Sequence, residues 1–231
     1  MEEKWREYFE TWSRTSEYKK RLKEAKQIIS NALHTFKKPY IAWSGGKDST
    51  VLTHLVLQKN PQILVIHWDY GPYYIPKNLH TQILKNAEKM AIKNLQILTS
   101  TIYNKKGTKA QNILGRIFIG IEIPRLAKQG YDAAFIGLRA EESIKRKLKP
   151  LTEKTPSGIT NIYPIHKLTW RDIWAYITTN QIPYLTTFYD KYNKLLGYHK
   201  TRFTTLFDPE FDKFGAQNID RYLMWKHRKI H

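Results

Sequence analysis

The sequence predicts an α/β protein built on a doubly wound, mostly parallel sheet, and three observations support this prediction. Short apolar runs alternate with segments of helical periodicity between residues 39 and 181, an order typical of strands connected by crossover helices. One of these runs, residues 63–68, is almost continuously apolar, as expected for a strand buried on both faces. A glycine-rich turn at residues 44–49 joins a predicted strand to a predicted helix, and such junctions bind ligands in open sheets of this kind.

The elements of this central region follow one another with short connections. The predicted strands and helices alternate, at residues 40–43, 50–58, 63–68, 79–91, 95–98, 113–128, 133–136 and 169–179. The helices are predicted where apolar side chains recur at intervals of three and four residues. Pro124 interrupts one of them and predicts a kink, because proline removes a backbone hydrogen bond. Residues 141–157 are charged and predict a loop or a short helix.

Two flanking segments differ from this pattern. Residues 1–38 predict a helical extension, because an apolar stripe that starts with Trp5, Phe9 and Trp12 runs along one face and lysines fill the other. That stripe is most simply a packing surface for the next domain. From residue 182 onward the chain is aromatic and basic, with few clear elements. The sequence therefore predicts three parts: an N-terminal helical segment (1–38), a nucleotide-binding domain (39–181) and an irregular C-terminal segment (182–231).

Charge and composition limit the partners of the chain. Lysine and arginine number 39 against 20 acidic residues, a formal charge of +19 over 231 residues. This excess favours polyanions such as nucleic acid, a membrane surface or a nucleotide, although a lysine-rich solvated surface explains it equally well. No apolar run approaches the roughly eighteen residues needed to span a bilayer, and the charged N-terminus does not resemble a signal peptide. We therefore expect a cytoplasmic protein without membrane contact.

The sequence contains no cysteine. Disulfides, thiolate nucleophiles and cysteine-ligated zinc are therefore excluded as parts of any mechanism. An iron–sulfur cluster of the usual kind is excluded as well, since cysteine thiolates hold such clusters.

The turn at residues 44–49, hereafter the phosphate loop, carries the strongest chemical signal. Its glycines allow the backbone to approach an oxyanion closely, and the N–H groups at the start of the following helix favour phosphate. A lysine adds a full positive charge, and two serines add hydroxyl groups. In order, the loop consists of Ser44, Gly45, Gly46, Lys47, Asp48 and Ser49.

Two familiar phosphate-binding motifs do not match the phosphate loop. A Walker A loop requires glycine where Ile41 stands and serine or threonine where Asp48 stands. A dinucleotide fingerprint requires a third glycine where Ser49 stands. A tight strand-to-helix turn without any ligand is the remaining alternative.

The phosphate loop resembles the pyrophosphate loop of the adenine-nucleotide α-hydrolase superfamily, whose fold is Rossmann-like. This superfamily includes ATP pyrophosphatases, tRNA lysidine synthetases, the small subunit of ATP sulfurylase and phosphoadenylyl-sulfate reductases. Two further segments are similar to the reductases. One runs from Gly137 through Arg139 to Arg146, and the other begins at Pro164, includes Trp170 and Trp174, and ends at Tyr189 and Asp190. The resemblance covers about residues 38–200.

The resemblance implies roles for several residues. Gly137, Arg139 and Arg146 follow the fourth strand, where the two arginines would clamp phosphate or sulfate; the alternative is a basic turn that water solvates. The end of the second strand, at His67, Trp68 and Asp69, would offer backbone groups to adenine. Asp69 is equally well explained as a turn residue before Gly71.

The sequence departs from the reductases at the residues that carry their chemistry. Those enzymes attack sulfur with a C-terminal cysteine, and some hold a cluster through a cysteine pair that would fall on Tyr198 and Thr201 here. The resemblance therefore implies the reaction of the wider superfamily, adenylation at the α-phosphate of ATP with release of pyrophosphate. Lys47 and Arg139 would stabilise the developing charge as catalytic residues. Asp48 would orient Mg²⁺, or would instead cap the helix.

Adenylation of this kind would resemble the activity of the sulfurylase subunit, and two alternatives to it stay open. The first is an enzyme that modifies nucleic acid, which the basic and aromatic residues of segment 221–229 favour. The second is a regulatory protein that binds nucleotide without catalysis, within a homo-oligomer or beside a partner subunit. An adenine nucleotide is the expected ligand in all three cases.

Overall fold

The computed structural model describes residues 1–70, 75–100 and 117–203. Two helices come first, and a strand-helix alternation follows. In chain order the elements are α1 (Glu3–Ser13), α2 (Ser16–Thr35), β1 (Pro39–Ala42), α3 (Lys47–Leu57), β2 (Leu64–Asp69), α4 (Lys77–Lys89), β3 (Leu95–Thr99), a π-helix (Phe118–Glu122), α5 (Ile123–Lys128), β4 (Ala133–Ile136), a 3-10 helix (Ala140–Glu142), α6 (Ile144–Lys147), β5 (Thr152–Lys154), β6 (Thr160–Ile162), α7 (Trp170–Thr179) and α8 (Thr186–Leu196).

Six strands form one sheet in the order β3-β2-β1-β4-β6-β5. The pairs among β3, β2, β1, β4 and β6 are parallel, and β5 is antiparallel to β6. The chain moves outward from β1 in one direction through β2 and β3, and in the other direction through β4. The carboxyl ends of β1 and β4 therefore flank a topological switch point, which is where open α/β sheets bind ligands. The predicted doubly wound, mostly parallel sheet is confirmed.

Each face of the sheet is covered by apolar side chains. Neighbouring residues of β1 point to opposite faces, so Ile41 joins a large core with α1, α2, α3, α7 and α8, while Tyr40 joins a smaller core with α5. In β2 the residues from Leu64 to Trp68 are all buried, as the continuous apolar run predicts. The larger core holds the rings of Phe9 and Trp174, which stack with their centroids 6.2 Å apart.

The N-terminal extension consists of two helices. The chain leaves α1 at Arg14, and the Thr15 hydroxyl accepts a hydrogen bond from Tyr18 N at 3.3 Å, so that Thr15 caps α2. The apolar stripe of α1 packs against α7, where Phe9 is fully buried. The predicted packing surface is thus present, while the division of the chain into three parts stays a prediction.

The structure differs from the predicted elements in three places. The predicted helix 113–128 begins outside the described residues. Where a kink at Pro124 was predicted, a π-helix changes into α5, and Pro124 lies in the first turn of α5. Two short strands, β5 and β6, lie in or just after the segment predicted as a loop or short helix. The helix α8 lies in the segment from residue 182 onward, where few clear elements were expected and no helix was assigned. Of the helices described, none is both long and apolar enough to cross a membrane.

Candidate functional site

The phosphate loop connects β1 to α3 at the switch point of the sheet. Gly45 has a φ of +80°, in the left-handed region that favours glycine. A Cβ at Gly45 would lie 2.7 Å from the side chain of Ile83 on α4. Gly46 occupies the N-cap position of α3, and its carbonyl accepts the first intrahelical hydrogen bond, from Thr50 N at 2.9 Å. The first N–H groups of α3 consequently have no partner within the helix.

The two serines of the phosphate loop hold its ends together. The Ser49 hydroxyl donates to Gly46 O at 3.0 Å and lies 3.0 Å from the Ser44 hydroxyl. Ser44 N donates to Ser49 Oγ at 3.3 Å. These bonds fix the turn, and they leave both serines beside the cavity described next.

A cavity of about 260 Å³ opens at the phosphate loop. Its lining has three parts, named here by their chemistry: a polar end of loop residues, an apolar wall and a charged rim. The polar end consists of Ser44, Gly46, Asp48 and Ser49; the wall of Ala42, Trp43, Ile66, Trp68, Tyr70, Phe118, Ile136, Gly137 and Phe203; and the rim of Glu142, Arg146 and Arg202. A cavity with an apolar wall beside a helix N-terminus suits a molecule with a flat apolar part and an anionic part.

Two buried cations converge on Asp48. The guanidinium Nε of Arg139 lies 2.6 Å from Asp48 Oδ1, and Lys47 Nζ lies 3.2 Å from Asp48 Oδ2. Arg139 also pairs with Glu141, and Lys47 Nζ donates to Thr201 O at 3.0 Å. Lys47 and Arg139 are 1% and 2% exposed, so both cations are largely shielded from solvent.

This network changes the acid–base properties of its members. Burial raises the pKa of Asp48, but the charges of Arg139 and Lys47 outweigh it and lower the pKa to about 2. Burial lowers the pKa of Arg139, but Asp48, Glu142 and Glu141 outweigh it and raise the pKa above its ordinary value. Asp48 is therefore a carboxylate and Arg139 a guanidinium at neutral pH.

The predicted site residues divide into those that line the cavity and those that do not. The lining includes Ser44, Gly46, Asp48, Ser49, Trp68, Gly137 and Arg146, and it does not include Gly45, Lys47, His67, Asp69 and Arg139. Asp48 lies in the first turn of α3 and Gly46 holds the cap position, so the cap alternative for Asp48 is not the arrangement seen. The catalytic roles of Lys47 and Arg139 stay predictions.

The rim of the cavity brings together a carboxylate and two arginines. Arg146 pairs with the Glu142 carboxylate, which also accepts Arg139 N at 3.1 Å. Arg202 Nη1 donates to the backbone oxygen of Glu142 at 2.8 Å. Arg146 was predicted from the sequence, but Arg202 was not. The signal for Arg202 was its position next to Thr201, in the segment where the resemblance places functional residues.

The end of β2 contributes one of its three predicted residues to the cavity. Trp68 lines the cavity wall, and its buried Nε1 has no hydrogen-bond partner among the described residues. His67 is fully buried beneath the phosphate loop, with Nδ1 3.0 Å from Trp43 O, and burial lowers its pKa. Asp69 pairs with His80 at 3.7 Å. His67 and Asp69 therefore lie outside the lining, and their predicted contact with adenine stays a prediction.

Gly137 allows β4 and α3 to meet at the site. A Cβ at Gly137 would lie 2.8 Å from Ser49 Cα and 2.9 Å from Ser49 N. Because those are backbone atoms of the first turn of α3, they cannot move aside as a flexible side chain would. The absence of a side chain at Gly137 is therefore a condition for the position of the phosphate loop.

Comparison with known proteins identifies the family of the chain. The family model of the phosphoadenosine phosphosulfate reductase domain matches residues 38–203, which includes the whole sheet and the cavity. The chain belongs to the phosphoadenosine phosphosulfate reductase domain family. The resemblance of the phosphate loop and of segments 137–146 and 164–190 to this family is thereby confirmed.

Relatives within the family carry different names. A phosphoadenosine 5'-phosphosulfate reductase of Alkalilimnicola ehrlichii is 25% identical over 174 residues, 70% of this chain and 69% of the relative. A sulfate adenylyltransferase subunit 2 of Magnetococcus marinus is 24% identical over 199 residues, which cover 72% of this chain and 65% of the relative. The sequence is thus similar to both a reductase and an adenylyltransferase.

A solved structure confirms the fold of the family. The phosphoadenylyl-sulfate reductase from Candida auris, in a phosphate complex, superposes with a TM-score of 0.56 and 22% identity, over 71% of this chain and 83% of that chain. At this identity the likeness establishes the fold alone.

Proposed function

We propose that this chain binds an adenine nucleotide in the cavity at the phosphate loop and adenylates a substrate, with attack at the α-phosphate and release of pyrophosphate. The observation that carries the proposal is the cavity itself, whose lining includes both apolar side chains such as Trp68 and residues of a helix N-terminus such as Ser49. The wall suits a base, and the N–H groups of the first helical turn suit phosphate. The similarity to a sulfate adenylyltransferase subunit 2 supports this reaction class.

Charge favours an anionic ligand at this site. Four cations, Lys47, Arg139, Arg146 and Arg202, line the cavity or pair with residues that line it, and all four are buried or half-buried. Electrostatic interactions are screened less there than at the surface. We propose that Lys47 and Arg139 stabilise developing negative charge as part of this field while they hold Asp48 in place.

Asp48 is the residue that would contact Mg²⁺. Magnesium in nucleotide sites is usually held by one or two carboxylates together with phosphates and water. Asp48 is ionised and lines the polar end of the cavity, and no cluster of three metal-binding side chains is present among the described residues. The residues thus fit a metal that arrives on the nucleotide. Such a metal would neutralise phosphate charge, and Asp48 would orient it or its water ligands.

Thiol-dependent reduction is not part of the proposal, because the chain has no cysteine to form a covalent bond to sulfur. The nucleic-acid hypothesis stays a prediction, since segment 221–229 lies outside the described residues. A partner subunit is proposed as well, on the similarity to a protein named as subunit 2.

Calorimetry with ATP, adenylyl sulfate and phosphoadenylyl sulfate tests the binding part of the proposal, and pyrophosphate release from ATP tests the chemistry. Gly46→Leu should abolish binding, because its side chain would extend from a position 3.4 Å from both Phe203 O and Ser44 Oγ. Gly120→Leu is the control, as no atom lies within 4 Å of a Cβ there. Wild-type protein that binds none of the three nucleotides would overturn the proposal.

A further inference from the structure

The chain segment that follows α8, residues 201–203, contacts the phosphate loop. Lys47 Nζ donates to Thr201 O at 3.0 Å, and Phe203 lines the cavity. The carbonyl oxygen of Phe203 lies 3.4 Å from the position of a Cβ on Gly46. Segment 201–203 is therefore in contact with the phosphate loop, although more than 150 residues separate the two in the sequence.

One hydroxyl group joins this segment to the loop. Tyr189, on α8, accepts a hydrogen bond from Lys47 N at 3.2 Å and a second from Phe203 N at 3.2 Å, both at its phenolic oxygen. Lys47 N is among the first N–H groups of α3, which have no partner within the helix. Tyr189 is 1% exposed. Because buried N–H groups are costly without an acceptor, removal of this oxygen would leave two of them unsatisfied.

The ring of Tyr189 is itself held in place. The ammonium of Lys47 lies 5.4 Å from its centroid, within the range of a cation–π contact. On another side the ring meets Trp174 edge to face, with centroids 5.3 Å apart, and Trp174 is fully buried in the larger core. The phenolic oxygen thus has a fixed position relative to the sheet.

We propose that Tyr189 is a positioning residue for phosphate binding. By accepting both N–H groups it fixes the first turn of α3 against segment 201–203, at the place where Asp48 and Ser49 line the cavity. Tyr189 does not itself line the cavity, so it acts through the loop. Trp68, which also lines the cavity, belongs to β2 and not to α3 or segment 201–203. We therefore expect the position of Trp68 to stay unchanged when this hydroxyl is removed. The inference rests on the proposed function only for the identity of the ligand.

Comparison of ATP with adenosine distinguishes a role of Tyr189 in phosphate binding from a role in the stability of the fold alone. Tyr189→Phe removes one oxygen and should weaken ATP binding about tenfold, while the dissociation constant of adenosine changes less than about twofold, since adenosine has no phosphate. Tyr176→Phe is the matched control, because Tyr176 is 2% exposed and its hydroxyl lies 2.9 Å from His54 Nδ1, away from the loop. This control should leave the ratio of the two affinities unchanged.

Hydrogen exchange of the ligand-free protein tests the same inference without any nucleotide. The amides of Lys47 and Phe203 should exchange faster in Tyr189→Phe than in wild type, and at the wild-type rate in Tyr176→Phe. Unchanged exchange at both amides would overturn the inference, and so would an equal loss of affinity for ATP and adenosine. If wild type binds neither ligand, the proposed function fails, and the exchange rates still decide the role of Tyr189.

Discussion

Arg139 and Asp48 form a buried ion pair, 2.6 Å from Nε to Oδ1, between two segments that lie 91 residues apart in the chain. The pair connects the segment that follows β4 to the first turn of α3, the helix that follows β1, so it spans the switch point between β1 and β4. Arg139 is 2% exposed and also pairs with Glu141. Its guanidinium is thus a structural part of the site as well as a source of positive charge.

Removal of Arg139 should therefore lower stability strongly. Arg139→Ala leaves the carboxylates of Asp48 and Glu141 without this partner, and the loss of one member of a buried pair costs about 3–5 kcal/mol in the free energy of unfolding. Urea denaturation measures this change. Arg14→Ala, at an exposed arginine between α1 and α2, is the control and should change the free energy by less than about 0.5 kcal/mol. A loss at Arg139 no larger than at Arg14 would show that the pair contributes little.

Acid should weaken the protein through Asp48. The pKa of this carboxyl falls from 3.8 to about 2 in the folded protein, because Arg139 and Lys47 outweigh the opposite effect of burial. The unfolded chain therefore takes up the proton at higher pH than the folded chain. The contribution of Asp48, about 2 kcal/mol for a shift of this size, is complete above about pH 4 and is lost as the pH falls towards about 2.

Asp48→Asn isolates this dependence. The variant should be less stable than wild type at neutral pH, and the difference between the two proteins should shrink between about pH 4 and about pH 2, because only wild type loses an ionised Asp48 there. Chemical denaturation at a series of pH values provides the comparison. Parallel stability curves across that range would contradict the assigned pKa.

The parts of the fold that the sequence predicted are those whose signal is local. β4 was predicted at 133–136 and is observed there, and β2 was predicted within one residue, because a short run of apolar residues is the direct mark of a buried strand. The phosphate loop was also predicted from a local signal, because its glycines and the start of the following helix are adjacent in sequence. These features depend on neighbouring residues alone.

The features that were missed depend on contacts between distant residues. β5 and β6 are polar, and β6 is a strand because it pairs with β4, from Ala133 opposite Thr160 onward; β-propensity is set by such context. Arg139 was predicted to face the ligand, but the sequence contains no sign that Asp48 lies within hydrogen-bond distance. Arg202 reaches the rim through a bond to the backbone of Glu142, 60 residues earlier.

Gly137 should tolerate no side chain. Gly137→Ala would place a Cβ 2.8 Å from Ser49 Cα, and relief of this overlap requires β4 and α3 to move apart. Overpacking of this kind costs about 1–3 kcal/mol, and because Ser49 belongs to the phosphate loop, ATP binding should weaken as well. Gly120→Ala is the control, since its Cβ would meet no atom within 4 Å. Wild-type ATP affinity in Gly137→Ala would show that the loop accommodates the displacement.

The chain should not catalyse the thiol-dependent reduction for which its family is named. Phosphoadenylyl-sulfate reductases use a cysteine thiolate to attack sulfur, and this chain has no cysteine at any of its 231 positions. Serine and tyrosine hydroxyls cannot replace the thiolate, because a stable covalent bond to sulfur that a second thiol then reduces requires sulfur on the protein. The purified protein, given phosphoadenylyl sulfate or adenylyl sulfate with reduced thioredoxin, should produce no sulfite above the rate without protein. A reductase of this family that contains its cysteine serves as the positive control in the same assay. Sulfite formation that depends on this chain would contradict the prediction, because it would mean that thiol-dependent reduction proceeds without a protein thiolate. The absence of cysteine would then no longer favour adenylation over the reductase reaction.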